Sequence, residues 1–228
     1  MTYCISDPHG CYDLYKRMLE LIGFSEEDTL YILGDFLDRG KDGFKIILDC
    51  MERDNVIPIA GNHDLTAMYI LSRLNEGITR EAYTDMQELV NAWLMDGGRV
   101  TYEAFRDLDK PTRRLILSYM DQFRNYAEIE VGGRRFVLCH GGVDGYEEGK
   151  PLEEYDLESF IFHRCDYTRD YFPDSYLVTG HTPTACIDGA QVGRIYRRGR
   201  NIAIDCGAVF GLGLGCIRLD DMQEFYVR

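Results

Sequence analysis

The residues able to do chemistry recur in one kind of place. Asp7-x-His9, Asp35, Asn62-His63-Asp64, His140-Gly141-Gly142 and Gly180-His181 each follow directly on a short apolar run. Four of the five histidines lie in these segments. A lone histidine there is usually structural, but five segments repeating one placement argue for a common centre. Carboxylate, carboxamide and imidazole donors without thiolate suit Mn²⁺, Fe or Zn²⁺. The donors outnumber what one ion takes. One shared carboxylate with donors on both sides implies two cations a few Å apart.

Such loops need strands to carry them. Residues 2–6, 29–33 and 55–60 read as buried strands. Between them, residues 11–22 place Leu14, Met18, Leu21 and Ile22 on one helical face, with Gly23 as C-cap. Phe44, Ile47, Leu48 and Met51 form the next helical stripe. This β-α-β-α-β alternation predicts an α/β fold with a largely parallel sheet whose carboxyl ends carry the site. From Leu65 to Phe123 the pattern turns helical: Ala82, Met86, Leu89, Val90, Trp93 and Leu94 mark one helix, and Pro111 starts another. Strands return at 128–131 and 134–139 around Gly132-Gly133, a hairpin turn, then at 176–179, 201–204, 216–219 and 224–227. The expectation is one domain over 1–228, with a helical cap inserted over 65–125.

Composition excludes several classes. The chain has 228 residues, with 25 Lys+Arg against 39 Asp+Glu, a net charge of −14. That disfavours nucleic-acid phosphates and anionic membrane surfaces as partners. At 45% hydrophobic residues it is no disordered acidic tail. No apolar run approaches the ~20 residues of a membrane span, and the start of the chain has no signal-peptide pattern. Eight cysteines without a C-x-x-C pair read as reduced core thiols. The expected compartment is the cytoplasm.

Taken together, Asp7-x-His9-Gly10, Gly34-Asp35-x-x-Asp38-Arg39-Gly40, Gly61-Asn62-His63-Asp64, His140-Gly141-Gly142 and Gly180-His181-Thr182 resemble the motifs of the calcineurin-like metallophosphoesterases. Within them the chain is similar to the phosphoprotein phosphatase branch, above all the bacterial and bacteriophage-lambda-type serine/threonine phosphatases. The resemblance runs from Asp7 to Ala208 and implies a calcineurin-like α/β sandwich with a helical insertion. It also implies roles. Asp7 and His9 bind a first metal, Asp35 bridges, and Asn62, His140 and His181 bind the second. The pair is Mn²⁺ first, with Fe or Zn²⁺ as alternatives, and it activates a hydroxide for in-line attack. His63 protonates the leaving oxygen, oriented by Asp38. Arg39, Asn62 and Arg164 hold the phosphate, Arg164 by its place in Phe162-His163-Arg164; His163 stays structural or at the rim.

Three positions depart from the branch's pattern. Ser6 replaces a glycine, Asp64 a glutamate, and Pro183 stands where many superfamily members carry a second histidine. The first two are small changes of size; Pro183 points toward the protein phosphatases and dinucleoside tetraphosphatases. The expected activity is phosphomonoester hydrolysis on serine/threonine phosphoproteins. The alternatives are symmetrical hydrolysis of diadenosine tetraphosphate, and an inactive binding module on the same fold. The basic run at 193–200 reads as a hairpin tip that is either a solvated turn or a phosphate-steering rim. Asp205 is a candidate either to support the ligands or to make a structural turn, and Cys139 and Cys206 read as inert packing, with redox sensitivity as the alternative.

Overall fold

The three apolar runs become β1 (Thr2–Ile5), β2 (Thr29–Leu33) and β3 (Val56–Ile59), parallel and in register as Thr2↔Thr29 and Leu30↔Val56. Helices α1 (Tyr12–Ile22) and α2 (Gly43–Met51) make the crossovers. Gly23 caps α1 in the left-handed region, φ +61°, with its N–H on the Leu19 and Glu20 carbonyls. The fully buried face of α1 is Tyr15, Met18 and Leu19; of the expected stripe, Met18 is buried, Leu14 and Ile22 pack partly buried against the same core, and Leu21 is exposed. The Tyr15 hydroxyl reaches Asp49 of α2 at 2.8 Å. In a computed structural model, residues 1–77 and 79–228 are described; Ile78, in the expected insertion, lies outside the described residues.

The helical stretch holds α3 (Asn62–Glu76), α4 (Arg80–Trp93), α5 (Arg99–Asp107) and α6 (Lys110–Met120). Between α4 and α5 the chain makes one wide π turn, Leu94–Gly98, broken at Asp96 and Gly97. Asp109 caps α6 by accepting the Thr112 N–H at 2.8 Å, with Pro111 in the first turn as expected. These helices share a core with the loop after β2 and with α2: Phe36 meets Phe123, and Phe44 meets Phe105.

The second half builds β4 (Tyr126–Val131) and β5 (Arg134–Cys139), the short α7 (Leu157–Ile161), then β6 (Ser175–Thr179), β7 (Tyr196–Arg198) and β8 (Asn201–Ala203). β9 (Leu214–Arg218) and β10 (Gln223–Val227) return to the first sheet. The sheet orders are β10-β9-β1-β2-β3 and β4-β5-β6-β8-β7. The first sheet is therefore mixed, since β9 joins β1 antiparallel. The basic run supplies one arm and the tip of a hairpin: Tyr196–Arg198 forms strand β7, antiparallel to β8, and Gly199-Arg200 makes the turn. Cys4, Leu33 and Ile59 of the first sheet pack with Phe136, Leu138, Val178 and Ile202 of the second. That face-to-face contact makes the α/β sandwich, with helices outside. Among the described residues no helix is long and apolar enough to cross a membrane.

Candidate active site

Two sets of three parallel strands aim their carboxyl ends at one place. β1, β2 and β3 lead into Asp7, Asp35 and Asn62; β5, β6 and β8 lead into His140, His181 and Asp205. The loops bend sharply. Asp7, His9, Asp35, Asp38, Arg39 and His181 all have φ between +39° and +67°. The only other described non-glycine residue with positive φ is Met222. Side chains in this region carry backbone strain of about 1–3 kcal/mol each, which persists only where the surroundings over-determine it. Gly61 lets two loops meet: a Cβ there would lie 2.2 Å from Asp35 Oδ1.

The donor atoms converge on Asp35. His140 donates through Nδ1 to the Leu33 carbonyl at 2.7 Å, which leaves the lone pair of Nε2 facing inward. That nitrogen is 3.0 Å from Asn62 Oδ1, 3.2 Å from His181 Nδ1 and 3.5 Å from Asp35 Oδ1. His181 Nδ1 is in turn 2.9 Å from Asn62 Oδ1. Lone pairs on N and O gathered this closely fit a cation better than any proton. On the other side His9 donates through Nδ1 to the Leu37 carbonyl at 2.7 Å and turns Nε2 to Asp35 Oδ2 at 3.4 Å. Two groups result whose ligand atoms lie within 4.8 Å of one another, His9–Asp35–His63 and Asp35–His140–His181, sharing Asp35.

Their protonation suits metal binding. Burial pulls His9 down to about 4 and His181 to about 3, so both imidazoles are neutral donors. Asp35 pays for burial, but the facing histidines hold it well below the ordinary carboxylate range. Burial raises Asp7, and so do the neighbouring carboxylates Asp205 and Asp35. Asp205 is pushed up to about 7, first by burial. Three crowded buried carboxylates with neutral imidazoles are a site for positive charge. Asp7 falls outside both groups: its carboxylate accepts the His181 N–H at 3.0 and 3.2 Å.

Beside this centre, His63 directs Nδ1 at Asp38 Oδ2, 2.8 Å away. Burial alone would lower His63, yet the Asp38 contact and Asp35 raise it. Asp38 is fully buried and held from the helical stretch. Trp93 Nε1 donates to Oδ2 at 2.8 Å, and the Thr101 hydroxyl to Oδ1 at 2.6 Å. Arg39 donates to Nε2 of both His9 and His63 at 2.8 Å, and its backbone N–H bonds to Gly97 O. A cation on His9 Nε2 would exclude an arginine N–H from the same lone pair and so release Arg39 Nη1. Asp96, on the π turn, pairs with Arg39 Nη2 at 3.2 Å.

Trp93, Thr101, Asp96 and Asp64 are the residues sequence reading missed in this role. Asp64 accepts four backbone N–H groups, from Asp35, Phe36, Leu37 and Gly61, and so clamps the turn that carries Asp35. Its replacement of glutamate marked the position without its purpose. Arg164 is exposed, though its charge reaches His181 and Asp205 and lowers both. His163 pairs with Asp144 at the rim. Cys139 and Cys206 are buried and desolvation raises both thiols, Cys206 to about 12, so neither has the thiolate character of a redox sensor.

Comparison with known proteins points the same way. Residues 2–205 match the model of the calcineurin-like phosphoesterase family. A symmetrical bis(5'-nucleosyl)-tetraphosphatase of Delftia acidovorans is 46% identical over 144 residues, 62% of this chain and 44% of that protein. The chain thus spans less than half the length of this relative. A serine/threonine-protein phosphatase 2 of Salmonella typhimurium is 26% identical over 165 residues, 71% of this chain and 67% of the relative. A solved protein provisionally described as a diadenosine tetraphosphatase shares the fold, with a TM-score of 0.68 at 16% identity over 99% of this chain and 92% of its own.

Proposed function

The chain belongs to the calcineurin-like phosphoesterase family, and on that premise we propose that it is a metal-dependent hydrolase that cleaves diadenosine tetraphosphate symmetrically into two molecules of ADP. The observation that carries the chemistry is the convergence of unprotonated nitrogens and carboxylate oxygens on Asp35, beside the His63–Asp38 pair. The 46% identity to a symmetrical tetraphosphatase favours this substrate over phosphoproteins, reversing the order that the motifs alone suggested.

In this reading Asp7 and His9 hold one divalent cation, and Asn62, His140 and His181 the other, with Asp35 shared. When bound, the pair supplies an activated water and neutralises charge on the phosphate; Mn²⁺ is the first candidate, then Fe and Zn²⁺. Arg39, once off both His9 and His63, offers a two-pronged donor to phosphoryl oxygens, with Asn62 and Arg164 as further phosphate holders. His63 keeps Nδ1 on Asp38 and presents Nε2 to the leaving oxygen. Water adds to one central phosphorus, the bond from that same phosphorus to the bridging oxygen breaks, and the proton of Nε2 goes to the bridging oxygen as it departs with the other ADP.

Purified protein with Mn²⁺, offered diadenosine tetraphosphate and a phosphoserine peptide, tests the reading. ADP as the sole nucleotide product is expected. AMP with ATP would shift the cut to an asymmetrical one, and phosphate from the peptide with no nucleotide turnover would reject the reading. That last outcome is the second reading, favoured by the 26% identity to a protein phosphatase over two thirds of its length. An inactive binding module is disfavoured because the metal donors, His63 and Arg39 occur together. Chelator-sensitive hydrolysis of p-nitrophenyl phosphate would dispose of it.

A further inference from the structure

A groove of about 340 Å³ is walled in part by Thr182, the residue that follows the donor His181. Its walls include Arg164, Thr182, Asp188, Tyr196 and Arg198. Four observations set it apart from the other hollows of the surface. Thr182 directly follows His181, is 7% exposed, and its buried hydroxyl has no hydrogen-bond partner among the described residues. Arg164 lines the groove as well, and its charge acts on His181 and Asp205, so it lies within electrostatic reach of both. Arg198 is exposed on β7 and has no ion pair among the described residues, whereas its neighbours in the basic run are engaged. Arg197 pairs with Glu224, while Arg194 and Arg200 lie over Tyr226 and Tyr176. Finally, the Tyr196 ring is half-buried and propped edge-on by Tyr167, with centroids 6.0 Å apart.

We propose that this groove receives the half of a dinucleoside polyphosphate that lies beyond the cleaved phosphate. The inference rests on the substrate reading above and adds where the second nucleotide goes. The groups match the parts of a nucleotide. The Thr182 hydroxyl, beside His181 in the chain, and the guanidinium groups of Arg164 and Arg198 suit phosphate oxygens. Tyr196 offers a supported aromatic face to a base, and the Asp188 carboxylate can accept ribose hydroxyls. The remaining acid of the wall, Asp166, is occupied by the N–H and hydroxyl of Thr168. The volume is at the small end for ligand sites, which suits one nucleotide and not a folded peptide.

Inhibition of p-nitrophenyl phosphate hydrolysis by ADP and by inorganic phosphate tests the groove without requiring dinucleotide turnover. Both inhibitors reach the metals, and only ADP reaches the groove. The wild type is expected to bind ADP at least tenfold more tightly than phosphate. Arg198→Ala should cut that advantage about tenfold, and Arg198→Lys should restore part of it. Tyr196→Leu should weaken ADP and leave phosphate inhibition alone. Thermal melting checks that each variant is folded. If ADP has no advantage over phosphate, or Arg198→Ala leaves the advantage intact, the groove is not the subsite. Those outcomes stand apart from failure of the substrate reading, which would show as a wild-type protein that hydrolyses p-nitrophenyl phosphate but releases no ADP from diadenosine tetraphosphate.

Discussion

His63 depends on one carboxylate, and that carboxylate depends on groups from a different part of the chain. Asp38 accepts from Trp93 and Thr101 while facing His63, so its lone pairs are fixed in direction. Replacing His63 with Asn should leave the metals bound and slow hydrolysis of an alkyl phosphate by the ~10²–10⁴ typical of a lost general acid. The loss should be smaller for diadenosine tetraphosphate and p-nitrophenyl phosphate, whose leaving groups are weakly basic. Rates of the three substrates, with metal content after dialysis, check this; equal losses would deny His63 its proton. Trp93→Phe keeps the ring and removes the N–H. Leaving a buried carboxylate one donor short should cost about 1–3 kcal/mol in denaturant unfolding. It should also lower kcat on the alkyl ester more than on p-nitrophenyl phosphate, with KM little changed. A loss of stability with kcat intact would reduce Trp93 to packing.

At the scale of elements, the π turn between α4 and α5 is what brings Trp93 to Asp38 and Gly97 to Arg39. A Cβ on Gly98 would lie 2.3 Å from the Trp93 indole, and one on Gly97 2.6 Å from Arg39 Cγ. Gly98→Ala should therefore push the indole off Asp38, lowering the melting temperature and turnover together. Combined with Trp93→Phe its effect should be well short of additive, since both act on one contact; full additivity in the double-mutant cycle would refute the coupling. This dependence shows where sequence legibility stops. β1, β2 and β3 were readable because a parallel sheet buried on both faces leaves continuous apolar runs that end in Gly or Asp. The metal donors were readable for the same reason, as polar residues repeated at strand ends. Trp93 sat in an apolar helical stripe, and nothing local says that its N–H faces a carboxylate 55 positions away. β7 was missed because two of its three residues are exposed arginines.

Across the whole molecule, two sheets bring their carboxyl edges together, and buried acids from both meet there. Without cations, Asp7, Asp35 and Asp205 face one another in a desolvated space, so ligation should stabilise the folded chain. Dialysis against a chelator should lower the melting temperature, and Mn²⁺ should restore it in proportion to the logarithm of its concentration. Saturation at a hundred times Kd corresponds to about 2.7 kcal/mol. A melting temperature indifferent to chelator would mean that the fold does not hold metal through these residues. The net charge of −14 bears on this scale too. It repels polyanions at long range, so under the proposed function a phosphate-bearing substrate would be captured by local charge: the cations, Arg39 and Arg164.

The left-handed turns at Asp7, His9, Asp35, Asp38, Arg39 and His181 carry a consequence for any attempt to improve the protein. Glycine would relieve the backbone strain at these six positions, and each such change would remove a side chain that the proposed chemistry needs. With metal present the lost ligands offset that gain; with a chelator present nothing does. A library screened by survival at high temperature in chelator should therefore accumulate inert variants, unless each round is also sorted for turnover with metal restored.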